Sequence, residues 1–181
     1  MNKVSSTEYQ NKHITTHQEE IRKMFGAVSE EIEVKVSATE AWQLYGTLRL
    51  AKLLEEELTD DIHKVEIIHG DGDVGTIVKL TFPPELGTSD FSYYKEKITK
   101  IDDEKRVKEA EAIEGVYIDV GFSLFRVRFE VTEKSENSCI TKTTIEYEIK
   151  EEASANTSLV SIEPMVKLME VAANYLVKNK K

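Results

Sequence analysis

The chain has 181 residues, 40% apolar and 32% charged, a length and balance that suit one soluble folded domain with its own core. A formal charge of −10, with no block of Lys and Arg, opposes nucleic-acid backbones and anionic membrane surfaces and leaves a small molecule or a protein as partner. The lone Cys139 excludes an intrachain disulfide framework and, with no electropositive neighbour, reads as a structural thiol.

In chain order, residues 1–27 read as a flexible polar tail, rich in Ser, Thr, Asn, Gln and His and poor in apolar side chains. A short helix from His17 to Met24 is compatible with this stretch but not demanded by it. His13 and His17 lie four apart, yet without a third ligand they read as solvated histidines. No apolar h-region and no membrane-length apolar run occurs, so the expectation is a cytoplasmic protein. The domain is expected over residues 28–181. Glu31 to Val36 alternates charged and aliphatic residues, a half-buried strand. Ser37-Ala38-Thr39-Glu40 is a capping box that opens a helix stopped by Gly46. A second short helix, Arg49 to Leu58, places Leu50, Leu53 and Leu54 on one face and Glu55-Glu56-Glu57 toward solvent.

From Lys64 to Tyr147 the apolar period becomes two. Strands are predicted at Val65–Ile67, Thr76–Phe82, Phe91–Ile101, Arg106–Glu114, Tyr117–Val131 and Ser138–Ile149, an antiparallel meander. Helical spacing returns from Ala153 to Val177 (Leu159, Ile162, Val166, Met169, Ala173, Leu176), with Pro164 expected to kink or interrupt it. The fold class is therefore α+β: a curved seven-stranded antiparallel sheet around a long C-terminal helix, the only element large enough to cover its apolar face.

Gly70-Asp71-Gly72-Asp73-Val74-Gly75 matches G-x-G-x-x-G, but the strand pattern Thr76-Ile77-Val78-Lys79-Leu80 follows it where a dinucleotide site needs a helix. The segment reads as a glycine-rich hairpin loop, and its two aspartates oppose phosphate. On the next strands, Lys95 and Lys97 belong in water, which turns Tyr94, Glu96 and Ile98 inward. Glu109 and Glu111 likewise turn Lys108, Ala110 and Ala112 inward. Both sets share a face only if the hairpin between them has an odd loop, for example Asp103-Glu104-Lys105. Alanines on a concave face leave room for a cavity. On a flat sheet Glu96 and Lys108 would lie about 13 Å apart, less with curvature, so a small molecule fits between them. Burial raises a Glu pKa and lowers a Lys pKa, bringing both toward acid/base use. Solvated or structurally paired side chains are the alternative on this pattern.

Tyr94-Lys95-Glu96-Lys97, Ile101-Asp102-Asp103-Glu104-Lys105-Arg106-Val107-Lys108-Glu109, Glu114 to Gly121, Ser138-Cys139-Ile140 and the glycine loop together resemble the plant birch-pollen-allergen (Bet v 1-like, pathogenesis-related class ten) family, and within it the norcoclaurine synthases. The resemblance runs from Val28 to Val177. It implies a helix-grip fold with two short helices in a V and an internal ligand cavity. It also implies a cofactor-free and metal-free Pictet–Spengler condensation of dopamine with 4-hydroxyphenylacetaldehyde. In that reaction Lys108 would hold the aldehyde oxygen, Glu96 would act as base and Tyr94 would close the pocket. Ala110, Ala112, Ile98, Phe82, Val127 and Met169 are the expected substrate contacts. The chain departs from its relatives at Val127, where well-known norcoclaurine synthases carry an aspartate, and at Asp73 and Val116, where glycine is usual. A non-catalytic carrier of hydrophobic metabolites or hormones would use the same cavity. The expected partner is one small aromatic or hydrophobic molecule, with no nucleic acid and no membrane, and the chain a monomer or weak homodimer. A ribonuclease role fits poorly with the net charge.

Overall fold

The computed structural model describes residues 22–84 and 92–180. Its first strand, β1 (Lys23–Val34), begins before the strict alternation does, because it pairs along its whole length with the last strand, β7 (Ser138–Lys150). A polar residue serves a ladder as well as an apolar one there. Gly26 sits opposite Tyr147, whose ring fills the space where a Cβ would lie 2.2 Å from its hydroxyl. Residues 1–21 of the expected tail, with most of its short helix, lie outside the described residues, as does Phe91, while Lys23 to Ala27 lie in β1 and so form neither tail nor helix.

Two helices follow. In α1 (Ala38–Tyr45) the capping box forms as expected: Ser37 Oγ accepts from the Glu40 amide at 3.2 Å, and the Ser37 amide donates back to Glu40 Oε2 at 3.1 Å. Trp42 Nε1 ties the helix to Asp103 Oδ1 at 2.8 Å. α2 (Arg49–Glu57) buries Leu50, Leu53 and Leu54. Of its acidic run, Glu55 is not simply solvated, since its Oε1 accepts the Val65 amide at 3.0 Å and so receives the next strand.

That strand, β2 (Lys64–His69), starts an antiparallel run through β3 (Ile77–Phe82), β4 (Ser92–Asp102), β5 (Val107–Gly115), β6 (Phe122–Ser135) and β7. The sheet order is β1-β7-β6-β5-β4-β3-β2. The glycine loop joins β2 to β3 with positive φ at Gly70, Gly72 and Gly75, and no helix follows it. Two expectations are corrected here. The stretch predicted as one strand from Tyr117 begins instead with a single helical turn, α3 (Val116–Asp119), before β6. The C-terminal helix is also shorter. A 3₁₀ segment covers Glu151–Leu159, and α4 (Glu163–Lys178) starts with Pro164 in its first turn, where a missing N–H leaves no hydrogen bond unmade. Pro164 therefore begins this helix rather than kinking a longer one, and Leu159 is exposed.

α4 buries Leu168, Met169, Ala172 and Leu176 and packs on β1, β7, α1 and α2. Cys139 is fully buried, and burial pushes its thiol up to about 11, so it stays protonated. No helix among the described residues is long and apolar enough to cross a membrane.

Candidate active site

The inward set on β4 and β5 shares one face, but not through an odd loop. The hairpin turn has four residues, 103–106, with Arg106 at φ 51, and Asp102 pairs with Val107. That register alone would set even residues of β4 against odd residues of β5. A shift between Ile98 and Lys100 restores the parity, so Ile98 pairs with Ala110 and Glu96 with Ala112, while Ile101 pairs with Lys108. One inserted residue, Thr99, thus decides that Glu96 and Lys108 meet the same interior.

That interior is a cavity with two adjoining lobes of about 60 and 260 Å³. Glu96, Lys108, Ile98 and Ala110 line the smaller one. Phe82, Tyr117 and Phe125 line the larger, and Tyr94, Leu54, Leu80, Val127 and Met165 line both. Of the expected substrate contacts, Phe82, Ile98, Ala110 and Val127 therefore face the cavity. Ala112 and Met169 do not: Ala112 is half-buried beside the second register shift, between Lys95 and Glu96, and Met169 is fully buried on the flank of α4. Met165 and Leu168, one helical turn apart, present α4 to the cavity instead. Leu54 and Tyr117 also escape a reading of the inner strand faces, since one lies on a helix and the other on the α3 turn.

Lys108 is 7% exposed, and its Nζ donates to the Thr47 carbonyl between α1 and α2 at 3.1 Å. Burial pulls its pKa below the usual lysine range, and the nearby Glu96 charge opposes this. Glu96 keeps some accessible surface because it borders a cavity, yet protein surrounds it. Desolvation raises its pKa, with the Lys108 charge and a hydrogen bond from Tyr94 pulling the other way. Tyr94 Oη lies 3.2 Å from Glu96 Oε2, and burial holds the phenol well above its ordinary pKa, so it stays a donor. The lysine and the carboxylate thus line one lobe and feel each other's charge while each hydrogen-bonds to a different neighbour.

The aromatic wall is interlocked. Tyr117 stacks on Phe125 with centroids 3.7 Å apart and meets Tyr94 edge-on at 5.2 Å, while Phe82 stacks on Tyr94 at 5.8 Å. Among the described residues no cluster of three or more His, Cys, Asp or Glu side chains is placed to hold a metal ion.

This fold, with a cavity between sheet and C-terminal helix, agrees with the family model that matches residues 23–179, that of the pathogenesis-related protein Bet v 1 family. The chain belongs to the Bet v 1 family. Within that family it is 43% identical to norbelladine synthase of Narcissus pseudonarcissus over 157 residues, 87% of this chain and 95% of that protein. It is 37% identical to S-norcoclaurine synthase 1 of Papaver somniferum over 155 residues, 84% of this chain and 66% of the poppy protein. Among solved structures, the X-ray structure of norcoclaurine synthase from Thalictrum flavum in complex with dopamine and hydroxybenzaldehyde superposes with a TM-score of 0.79. Identity there is 29%, covering 100% of this chain and 99% of that one. Within the Bet v 1 family, the chain's relatives thus include synthases.

Proposed function

We propose that the chain catalyses a Pictet–Spengler-type condensation of an arylethylamine, dopamine in the simplest case, with an aldehyde such as 4-hydroxyphenylacetaldehyde, giving a tetrahydroisoquinoline. The observation that carries this reading is the convergence of Lys108 and Glu96 on one cavity, each with its proton affinity moved by burial toward that of the other. The likeness to norcoclaurine synthases supports it.

Once its ammonium proton has passed to solvent, the amine nitrogen attacks the aldehyde carbon, and Lys108 Nζ–H donates to the carbonyl oxygen as negative charge develops on it. One N–H proton of the amine passes to that oxygen and Lys108 supplies the second, so the oxygen leaves as water and the C–N bond becomes an iminium. A ring carbon of the aryl group attacks the iminium carbon and closes the C–C bond. The ring proton at that position passes to Glu96, which restores aromaticity. Tyr94 fixes the Glu96 carboxylate by its hydrogen bond and lines both lobes. Holding two reactants in adjoining lobes supplies the remaining gain by proximity. Val127, between Ala110 and Ile145 in the sheet, adds no carboxylate, so Glu96 alone serves as base.

The test incubates the protein with dopamine and 4-hydroxyphenylacetaldehyde and follows product by chiral chromatography. The expected result is one enantiomer in excess, with Lys108→Ala lowering kcat by about 100-fold or more. Racemic product at the uncatalysed rate would refute condensation for this pair. Lys108→Ala that leaves ligand affinity intact, where the native chain shows no turnover, would identify a carrier.

A further inference from the structure

The larger lobe carries one carboxylate that the mechanism does not use. Asp61, in the turn between α2 and β2, lines this lobe and is the sole acid among its described lining residues. Its Oδ1 and Oδ2 lie 2.9 and 3.1 Å from Lys167 Nζ on α4, so an ion pair spans from the turn to the first part of the helix. The two side chains are 36% and 55% exposed, whereas the aromatic wall behind them is buried or half-buried. Ser161, Pro164 and Met165 border the same lobe. The pair therefore marks where the lobe meets water.

An arylethylamine reaches the protein as an ammonium ion, because an alkylamine titrates near the value of lysine, about 10. Its ring suits the wall of Phe82, Tyr94, Tyr117 and Phe125, but its charge needs an anionic partner on the way in. Glu96 is engaged by Tyr94 and lines the smaller lobe, and position 127 is a valine. Asp61 remains. An exposed lysine–carboxylate pair is weakly held, so an incoming ammonium can exchange for Lys167 at small cost.

We propose that Asp61 receives the ammonium group of the amine at the mouth of the aromatic lobe, and that Lys167 holds this carboxylate until the amine displaces it. Asp61 is on this view a specificity-determining residue that selects a cationic first reactant over a neutral one of the same shape. The proposal rests on the amine-plus-aldehyde reading above, and binding measured without turnover separates the two.

The experiment compares the native chain with Asp61→Asn and Lys167→Met in dopamine titrations, by calorimetry for binding alone and by initial rates with 4-hydroxyphenylacetaldehyde. Asp61→Asn should weaken dopamine binding and raise its KM by about tenfold, the worth of one charge-assisted contact, while kcat and the aldehyde KM stay within about twofold. Lys167→Met, which removes the competitor, should tighten dopamine binding by about threefold, within the range of an exposed pair. Raising NaCl should weaken dopamine binding to the native chain and leave Asp61→Asn flat. Phenethyl alcohol, which lacks the charge, should bind all three proteins alike. Unchanged dopamine affinity in Asp61→Asn, or equal loss of dopamine and phenethyl alcohol, would overturn the proposal. If Asp61→Asn does not fold, weaker dopamine binding in Lys167→Met or a salt-independent native affinity overturns it instead. Charge-selective dopamine binding without any product would keep the Asp61 site and refute the condensation.

Discussion

At the scale of single residues, the pair at the cavity has a pH signature. The competent form holds Lys108 protonated and Glu96 ionised. Burial raises the Glu96 pKa, so the acidic limb of kcat against pH should rise above the ordinary carboxylate range, near 4. Burial lowers the Lys108 pKa, so the alkaline limb should fall below the ordinary lysine range. The expected profile is a bell narrower than two unperturbed groups would give. In Lys108→Arg, residual activity should lose its alkaline limb, because guanidinium does not titrate there. A wild-type profile with limbs at ordinary Glu and Lys values would contradict this account. Both residues are legible in the sequence, since alternation turns the neighbours of the outward Lys95, Lys97, Glu109 and Glu111 inward, although Glu109 is buried beneath Arg126 and Arg128 and not solvated as expected. Their hydrogen-bond partners are not: the Thr47 carbonyl reaches Lys108 across 61 residues of chain.

At the scale of elements, small irregularities place the site. The shift at Ile98–Lys100 sets the parity of β4 against β5. Gly115 ends β5 at φ +97, where an added Cβ would stand 2.2 Å from the Tyr93 carbonyl, and so turns the chain into α3, which carries Tyr117 to the aromatic wall. Gly115→Ala should destabilise the fold by about 3 kcal/mol, from backbone strain together with the clash, as read from a denaturant midpoint. A loss under about 1 kcal/mol would mean that the turn relaxes without it. At α1, removal of the Ser37 hydroxyl acts on an ordinary cap, and Ser37→Ala should lower stability by about 1 kcal/mol in the same assay. The capping box is readable because all its partners lie within four residues. The parity of the β4–β5 hairpin is not, since neither Thr99 nor the turn residues announce a bulge.

At the scale of the whole molecule, the outer face of the sheet is a lattice of charge. Arg126 bridges Glu111 and Glu146 at 2.7 and 2.9 Å, and Arg128 bridges Glu109 and Glu130 at 2.7 and 3.0 Å. Several carboxyls are held below their ordinary range by such partners. Hydrogen bonds from Lys134, Lys35 and Ser138 hold Glu33 at about 2, and Arg128 lowers Glu130. Lys23 and Ser123 lower Glu148. A folded pKa below the unfolded one gives stability that is present above the ordinary carboxylate value and is lost as pH falls through the folded values. The thermal midpoint should therefore hold from neutral pH to about 5, drop below about 4 and keep falling toward pH 2. The drop should be shallower in 1 M NaCl, where charges are screened within about 3 Å. A midpoint that rises on acidification would refute this assignment.

Local information within a few residues is enough for the alternation of the strands, the capped first helix, the glycine loop that leads into a strand, and the inward side of β4 and β5. Short-range sterics and solvent preference act on neighbours in the chain, so the sequence alone determines these features. Tertiary structure alone decides the face that β4 shares with β5, the point at which α4 begins, the substitution of Met165 and Leu168 for Met169 at the cavity, and the meeting of Asp61 with Lys167. Each depends on contacts between segments far apart in sequence, where ladder hydrogen bonds and close packing select one register among several that local pattern permits equally.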